Sequence, residues 1–308
     1  MTGTALILGG TGRFGRNTAE AFWNAGWRVT LFDRTKDDLM RAAEGQDVIV
    51  NGWNPPYTRW AAELPDLTRQ VIAAGRASGA TVLLPGNVYV YGPQAPEIWS
   101  DQTPHVAQNP LGRLRRDMEA TYRDSGVQTI LLRAGDFFDT EASGNWFDRV
   151  MAPTLRRGVL TYPGALDRPH AWAFLPDLST AAVMLAERRA ELPGYADIAF
   201  PGYTLTGAEM AALCSEVLGR SITAKPMNWL PLRLAAPFGG MARTLLEMRY
   251  LWNKPHRLDG TAFEAILPDF RSTAPQEAIA RAIAPVLNPA SEGQPKQADA
   301  VPRPARAG

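Results

Sequence analysis

Glycines spaced three apart at the end of a short apolar run constrain this chain more than any other feature. Ala5-Leu6-Ile7-Leu8 has strand length, Gly9-Gly10-Thr11-Gly12-Arg13-Phe14-Gly15 follows at once, and a helical pattern runs from Arg16 to about Asn24. Gly9 permits a tight turn, Gly12 lets backbone N–H groups approach a phosphate, and Gly15 lets the helix pack close on the strand. An anion cradled by this turn, with Thr11, Arg13 and Phe14 completing it, sits at a helix N-terminus. Unpaired N–H groups and the helix dipole favour negative charge there. Strand before and helix after is the context that a dinucleotide-binding turn requires.

A second strand, Arg28 to Phe32, ends on Asp33, where a carboxylate reaches the ribose hydroxyls of an adenosine. Arg34 beside it, with Arg13, could instead pair with the extra phosphate of NADP. NAD and NADP both stay open as cofactors. A third strand, Asp47 to Val50, ends at Asn51-Gly52, a further candidate contact to the dinucleotide. The stretch Trp53 to Trp60 is proline-rich and aromatic, and it lies past a strand end. It reads equally as a pocket wall carrying Tyr57 toward a substrate or as a plug on the core. A fourth strand (Thr81 to Leu84) runs into Pro85-Gly86-Asn87-Val88-Tyr89-Val90-Tyr91-Gly92. After a proline-rich loop come a basic helix from Leu111 to about Asp124 and a fifth strand, Gln128 to Arg133. Strands alternating with helices predict an α/β fold built on a doubly wound parallel sheet of the Rossmann type.

Length and composition narrow the rest. The 308 residues divide into a dinucleotide-binding domain over 1–135, with a return near 165–190, and a smaller, mostly helical substrate domain over 136–289. Residues 290–308 lack apolar periodicity and read as a disordered tail. A net charge of +1 gives no broad field for nucleic acid or for a membrane. The single cysteine, Cys214, excludes an internal disulfide and any multi-cysteine metal site. With three histidines in all, no metal centre is expected. A chain that opens on a strand, has no spanning apolar run and keeps one cysteine is expected in the cytoplasm. A small-molecule substrate is the expected partner, and a homodimer is left open.

Gly9-x-x-Gly12-x-x-Gly15, Asp33, Val90-Tyr91-Gly92 after the fourth strand, and the Leu132-Arg133 strand resemble the extended short-chain dehydrogenase/reductases, the NAD-dependent epimerase/dehydratase group. The resemblance covers roughly residues 4 to 285 and implies NAD or NADP on the Rossmann domain. Members usually work with a Ser or Thr and a Tyr-x-x-x-Lys pair. The resemblance puts the hydroxyl position on Asn87, the tyrosine on Leu111 and the lysine on Arg115, so all three positions depart from the pattern. Leucine can neither give nor take a proton. Asn87 keeps a donor and an acceptor, or serves only as a turn residue. Arg115 can bond a ribose hydroxyl without titrating, or is a solvated charge beside Arg113 and Arg116.

Tyr89 ranks first as a replacement acid and Tyr57 second, against the blander reading of each as a buried aromatic. Asp136, where family members acting on nucleotide sugars often carry Asn, would repel a diphosphate and points to a smaller, less anionic substrate. His170 and Trp172 are placed where they could face the cleft. The expected function is an atypical oxidoreductase or epimerase-like enzyme acting on a small carbonyl or alcohol. The alternative is a non-catalytic redox sensor or scaffold that binds NAD(P).

Overall fold

The computed structural model describes residues 3–288. The tail expected from Ala290 onward lies outside them. The strands are β1 (Thr4–Leu8), β2 (Arg28–Phe32), β3 (Val48–Asn51), β4 (Thr81–Gly86), β5 (Ile98–Trp99), β6 (Thr129–Arg133), β7 (Asp136–Phe138), β8 (Val159–Tyr162), β9 (His170–Phe174), β10 (Tyr195–Ala199), β11 (Tyr203–Leu205), β12 (Thr223–Pro226) and β13 (Arg257–Leu258). The helices are α1 (Arg13–Asn24), α2 (Leu39–Ala43), α3 (Trp60–Ser78), α4 (Pro110–Asp124), α5 (Leu175–Glu187), α6 (Gly207–Leu218), α7 (Leu230–Ala235), α8 (Gly240–Glu247), α9 (Thr261–Ile266) and α10 (Pro275–Leu287).

Six strands form one parallel sheet in the order β2-β1-β3-β4-β6-β10, with β2 and β10 at its edges. Strands such as β1 and β3 are apolar on both faces because both faces are covered. On one face Ala5, Ile7, Val48 and Val50 pack under α1 and α5 through Phe14, Phe22, Leu178 and Ala182. On the other, Leu6, Leu8, Ile49 and Leu84 meet α3 and α4 through Trp60, Leu64, Val71 and Tyr122. The fold is doubly wound. The order in which strands are added reverses between β1 and β3, and in such sheets ligands bind at that crevice, outside the carboxyl ends of the strands.

Beyond Gly135 helices predominate, as expected, and short strands accompany them. The sheets β11-β9-β7 and β12-β8, with α6 and α10, surround a separate apolar core that includes Met151, Leu160, Trp172 and Ile279, while the two-stranded β13-β5 and α9 pack on the cores of the main sheet through Trp99, Leu258 and Phe263. Strands of two to five residues leave little two-residue periodicity to read. The stretch from Pro226 to Leu258 is likewise broken. Gly239 and Gly240, with φ of 81° and 66°, interrupt it between α7 and α8, where a left-handed backbone suits only glycine. The return to the main sheet consists of α5, packed on α1, and β10, paired with β6. Thr206 and Glu209 form a reciprocal capping box that starts α6. Among the described residues, no helix is long and apolar enough to cross a membrane.

Candidate functional site

At the glycine turn, Gly9 has φ 74° and its carbonyl accepts the Gly12 N–H at 2.8 Å. A Cβ on Gly15 would lie 2.2 Å from that carbonyl oxygen, and one on Gly12 would lie 3.2 Å away. Helix α1 starts at Arg13 with Gly12 as its N-cap, and no side chain caps it. Its first-turn N–H groups are left for a ligand, and phosphate oxygens match them in charge and geometry. The turn fits the linked phosphates of a dinucleotide. Phe14 is buried beneath it, and Arg13 reaches across to donate to the Gly144 carbonyl at 3.1 Å.

From this turn a cleft of about 750 Å³ runs along the strand ends, lined among others by Thr11, Gly12, Arg13, Phe14, Asn51, Tyr57, Asn87, Tyr89, Arg115 and Asp136. Asn51 closes β3, accepting from Trp53 N at 3.1 Å and donating to the Tyr122 hydroxyl at 3.0 Å. Asn87 accepts the Tyr89 N–H at 3.0 Å and thereby caps a short 3-10 turn, Val88–Val90. That bond occupies Oδ1 and leaves the amide NH2 as a donor. Both readings of Asn87 therefore hold at once: it makes the turn, and it lines the cleft.

The two candidate phenols meet. Tyr57 and Tyr89 hydroxyls stand 2.8 Å apart, both rings packed near Trp60. Burial raises both acidities' midpoints, Tyr89 the more strongly, so both phenols stay protonated at neutral pH. Such a pair can give a proton but is a poor base. Arg115 is buried, not solvated. It donates to the Pro85 carbonyl at 2.9 Å and lies 5.5 Å from the centre of the Trp60 ring, while its Nε has no partner. A buried guanidinium with donors to spare at the wall of a cleft is suited to an acceptor-rich ligand.

Leu111 lies in the core under α4, and its N–H donates to Glu247 at 2.6 Å. Helix α4 comes so close to the loop that a Cβ on Gly112 would sit 2.7 Å from the Tyr89 carbonyl oxygen.

Asp136 faces the cleft with His170 behind it, Nε2 to Oδ2 at 2.8 Å. His170 itself does not reach the cleft: it is buried and stacked on Trp252 at 4.3 Å. Trp172 is also buried, within the C-terminal core, because β9 is covered on both sides. Neither can touch a ligand in the cleft as the sequence suggested. Asp33 and Arg34 stand apart from the cleft as well. The Asp33 carboxylate accepts from Thr35 N, Thr35 Oγ1 and Lys36 Nζ, and the Lys36 contact first of all holds its acidity well below the usual carboxylate range. The Arg34 guanidinium lies 4.9 Å from the centre of the Trp53 ring.

Sequence reasoning missed what holds the loop in place. Arg133, fully buried at the end of β6, donates to Glu119 at 2.8 Å, to Asp197 at 2.5 Å and to the Asn87 carbonyl at 2.5 Å. His105 adds its Nε2 at 3.5 Å, necessarily as acceptor because a guanidinium only donates. His105, Glu119 and Asp197 have ligand atoms within 4.8 Å of one another, and the Arg133 guanidinium already sits among them. The signal in the sequence was partial: Arg133 and Asp197 are charges inside otherwise apolar strands, but that the two strands lie side by side appears only in the sheet. Cys214, buried with its thiol pushed up to about 12, takes no part.

No protein-family model matches the sequence, and no curated protein matches it. Solved structures do. A UDP-glucuronic acid 4-epimerase from Bacillus cereus, solved with UDP-glucuronic acid and NAD, superposes with a TM-score of 0.71 at 12% identity, covering 92% of this chain and 99% of that one. A UDP-glucose 4-epimerase from Brucella ovis, in complex with NAD, gives 0.67 at 18%, covering 92% and 98%. An NAD-dependent NDP-hexosamine 5,6-dehydratase of tunicamycin biosynthesis gives 0.68 at 15%, covering 91% and 96%. The fold is that of the NAD-dependent sugar epimerases and dehydratases. On this epimerase fold the glycine turn, Asn87 and α4 all belong to one continuous cleft, whose occupant the likeness in fold does not name.

Proposed function

We propose that this chain binds a pyridine dinucleotide along the cleft and acts as an oxidoreductase or epimerase-like enzyme on a small carbonyl or alcohol. The observation that carries the reading is the Tyr57–Tyr89 hydroxyl pair, set in the same cleft as the uncapped glycine turn. The dinucleotide, when bound, supplies or accepts hydride. The chain's own residues do the rest. N–H groups of the α1 first turn hold the phosphates, and the spare donors of Arg115 take a ribose hydroxyl. The Asn87 amide and the Tyr89 phenol both donate to one substrate oxygen, and Tyr89 gives it a proton while the Tyr57 O–H donates a hydrogen bond to the resulting phenolate until water returns the proton. Because the phenols are held protonated, carbonyl reduction is the direction this pair serves best at neutral pH. Asp136, braced by His170, accepts a hydroxyl or amine of the substrate and disfavours a diphosphate. That last point separates the proposed substrate from the nucleotide sugars named for the similar structures.

Titration calorimetry with NAD, NADH, NADP and NADPH, followed by turnover of the bound form over a panel of small carbonyls, tests the reading. Binding with turnover is expected, and Tyr89→Phe should lower kcat by roughly a hundredfold or more while leaving dinucleotide affinity unchanged. No heat with any of the four would defeat the proposal outright. Binding without turnover would favour the sensor, a reading supported by the burial of Leu111 in the core.

A further inference from the structure

We propose that the hairpin formed by α7 and α8 docks on the surface of an anionic lipid bilayer, with Phe238 at its tip. None of the residues of α7, of the 3-10 turn Ala236–Phe238 or of α8 is buried. Four of the nine large apolar side chains left exposed among the described residues fall within residues 230–241: Leu230, Leu234, Phe238 and Met241. Phe238 is 91% exposed and Leu234 67%, values that a side chain with no partner in its own fold would show. Leu230 and Leu234 are four apart and share one helical face. Gly239 and Gly240, both left-handed, reverse the chain directly after Phe238 and leave that ring at the apex.

Charge decides the occupant. Overall the chain carries 32 basic and 31 acidic residues, yet residues 217–246 contain Arg220, Lys225, Arg233 and Arg243 and no Asp or Glu. Arg233 and Arg243, on the two helices that flank the apolar tip, are exposed, as is Lys225 on β12. The next acid, Glu247, points inward to Leu111 N and Asn109. Apolar residues with cations around them and no anion among them match an interfacial element on negatively charged headgroups. A second copy of the chain fits less well. A two-fold contact through this hairpin would gather Arg233 and Arg243 of both copies in one interface with no acidic residue from 217–246 to pair them. Met241 and Leu245 of the same α8 line the cleft, so contact with a bilayer bears on one of its walls.

Flotation of the full chain with vesicles of phosphatidylcholine alone, and of phosphatidylcholine containing phosphatidylglycerol, tests this. The protein is expected to float with the anionic vesicles and progressively less as salt is raised. The double variant Leu234→Asp, Phe238→Asp should lower the partition at least about tenfold. Arg233→Glu with Arg243→Glu should abolish the preference for the anionic lipid. Melting temperature and dinucleotide binding heat should not change in either variant, since none of these residues lines the cleft. Failure to float with anionic vesicles at low salt, or equal flotation of the wild type and the Leu234→Asp, Phe238→Asp variant, would overturn the proposal. So would a dimer that Phe238→Asp splits without any vesicle binding, which would make the hairpin a contact between copies.

Discussion

Arg115 shows most directly how the cleft differs from its own interior. A guanidinium taken out of water and given one carbonyl at 2.9 Å is poorly compensated, and burial lowers its pKa from the usual arginine value. Replacement by methionine of similar length should therefore stabilise the empty protein by about 1 kcal/mol. The same change should weaken dinucleotide binding about tenfold. Thermal melting and calorimetry read the two effects separately, and a residue with a purely structural role would move both in the same direction. Gly12→Ala separates the same two quantities in another way. Its Cβ would stand 3.2 Å from Gly9 O, a tight contact that a shift of a few tenths of an ångström relieves, so the fold survives, but the methyl fills the space that a phosphate needs. Affinity should fall with stability unchanged to within about 1 kcal/mol. These positions were legible in the sequence because glycine spacing encodes backbone approach. That Asn87 lines the cleft was legible by position alone. The burial of Arg115 was not, because a helix seen as letters (Arg113, Arg115, Arg116) does not say which basic residue turns inward.

Helix α4, β6 and β10 are tied by Arg133, and the consequences belong to the elements rather than to any one contact. Removing the guanidinium leaves Glu119 and Asp197 buried and facing each other, so Arg133→Met should cost about 3–5 kcal/mol in urea unfolding. It also frees the Asn87 carbonyl, so the cleft loop should lose order along with stability. His105, half-buried against this cluster, has its pKa lowered from 6.5 to about 4, by desolvation first and by Arg133 second. The folded chain takes up this proton less readily than the unfolded one. The stabilisation is therefore fully present above pH 6.5 and is lost as the pH falls toward 4. Urea midpoints should drop between about pH 7 and pH 5, and His105→Gln should flatten that drop. Elements of this kind mark where sequence reading stops. Runs such as Val48–Val50 announce a doubly covered strand. The pairing of β6 with β10 joins residues far apart in the chain, and no local pattern announces it. The small sheets of the C-terminal part have strands too short to show alternation, and a run of Met, Trp and Leu there reads as helix even where glycine breaks it.

For the molecule as a whole, net charge is an average over unlike stretches of surface. A total of +1 includes thirty residues, 217–246, whose charged side chains are all basic, and the proposed bilayer contact rests on that local excess. The position of β2 at the rim of the sheet has a consequence of the same breadth. In the proposed complex the adenosine would lie toward this edge strand, where the Asp33 carboxylate is already satisfied by its own turn. A coenzyme seated there has one loosely held end and should exchange with the medium between turnovers instead of staying as a permanent passenger. The purified protein, heat-denatured and filtered, should release less than about a tenth of an equivalent of nicotinamide nucleotide by chromatography. Stoichiometric release would mean that the exposed flank grips as firmly as a closed one. Under the proposed oxidoreductase reading, loose tenure suits a catalyst that draws reducing power from the surrounding pool.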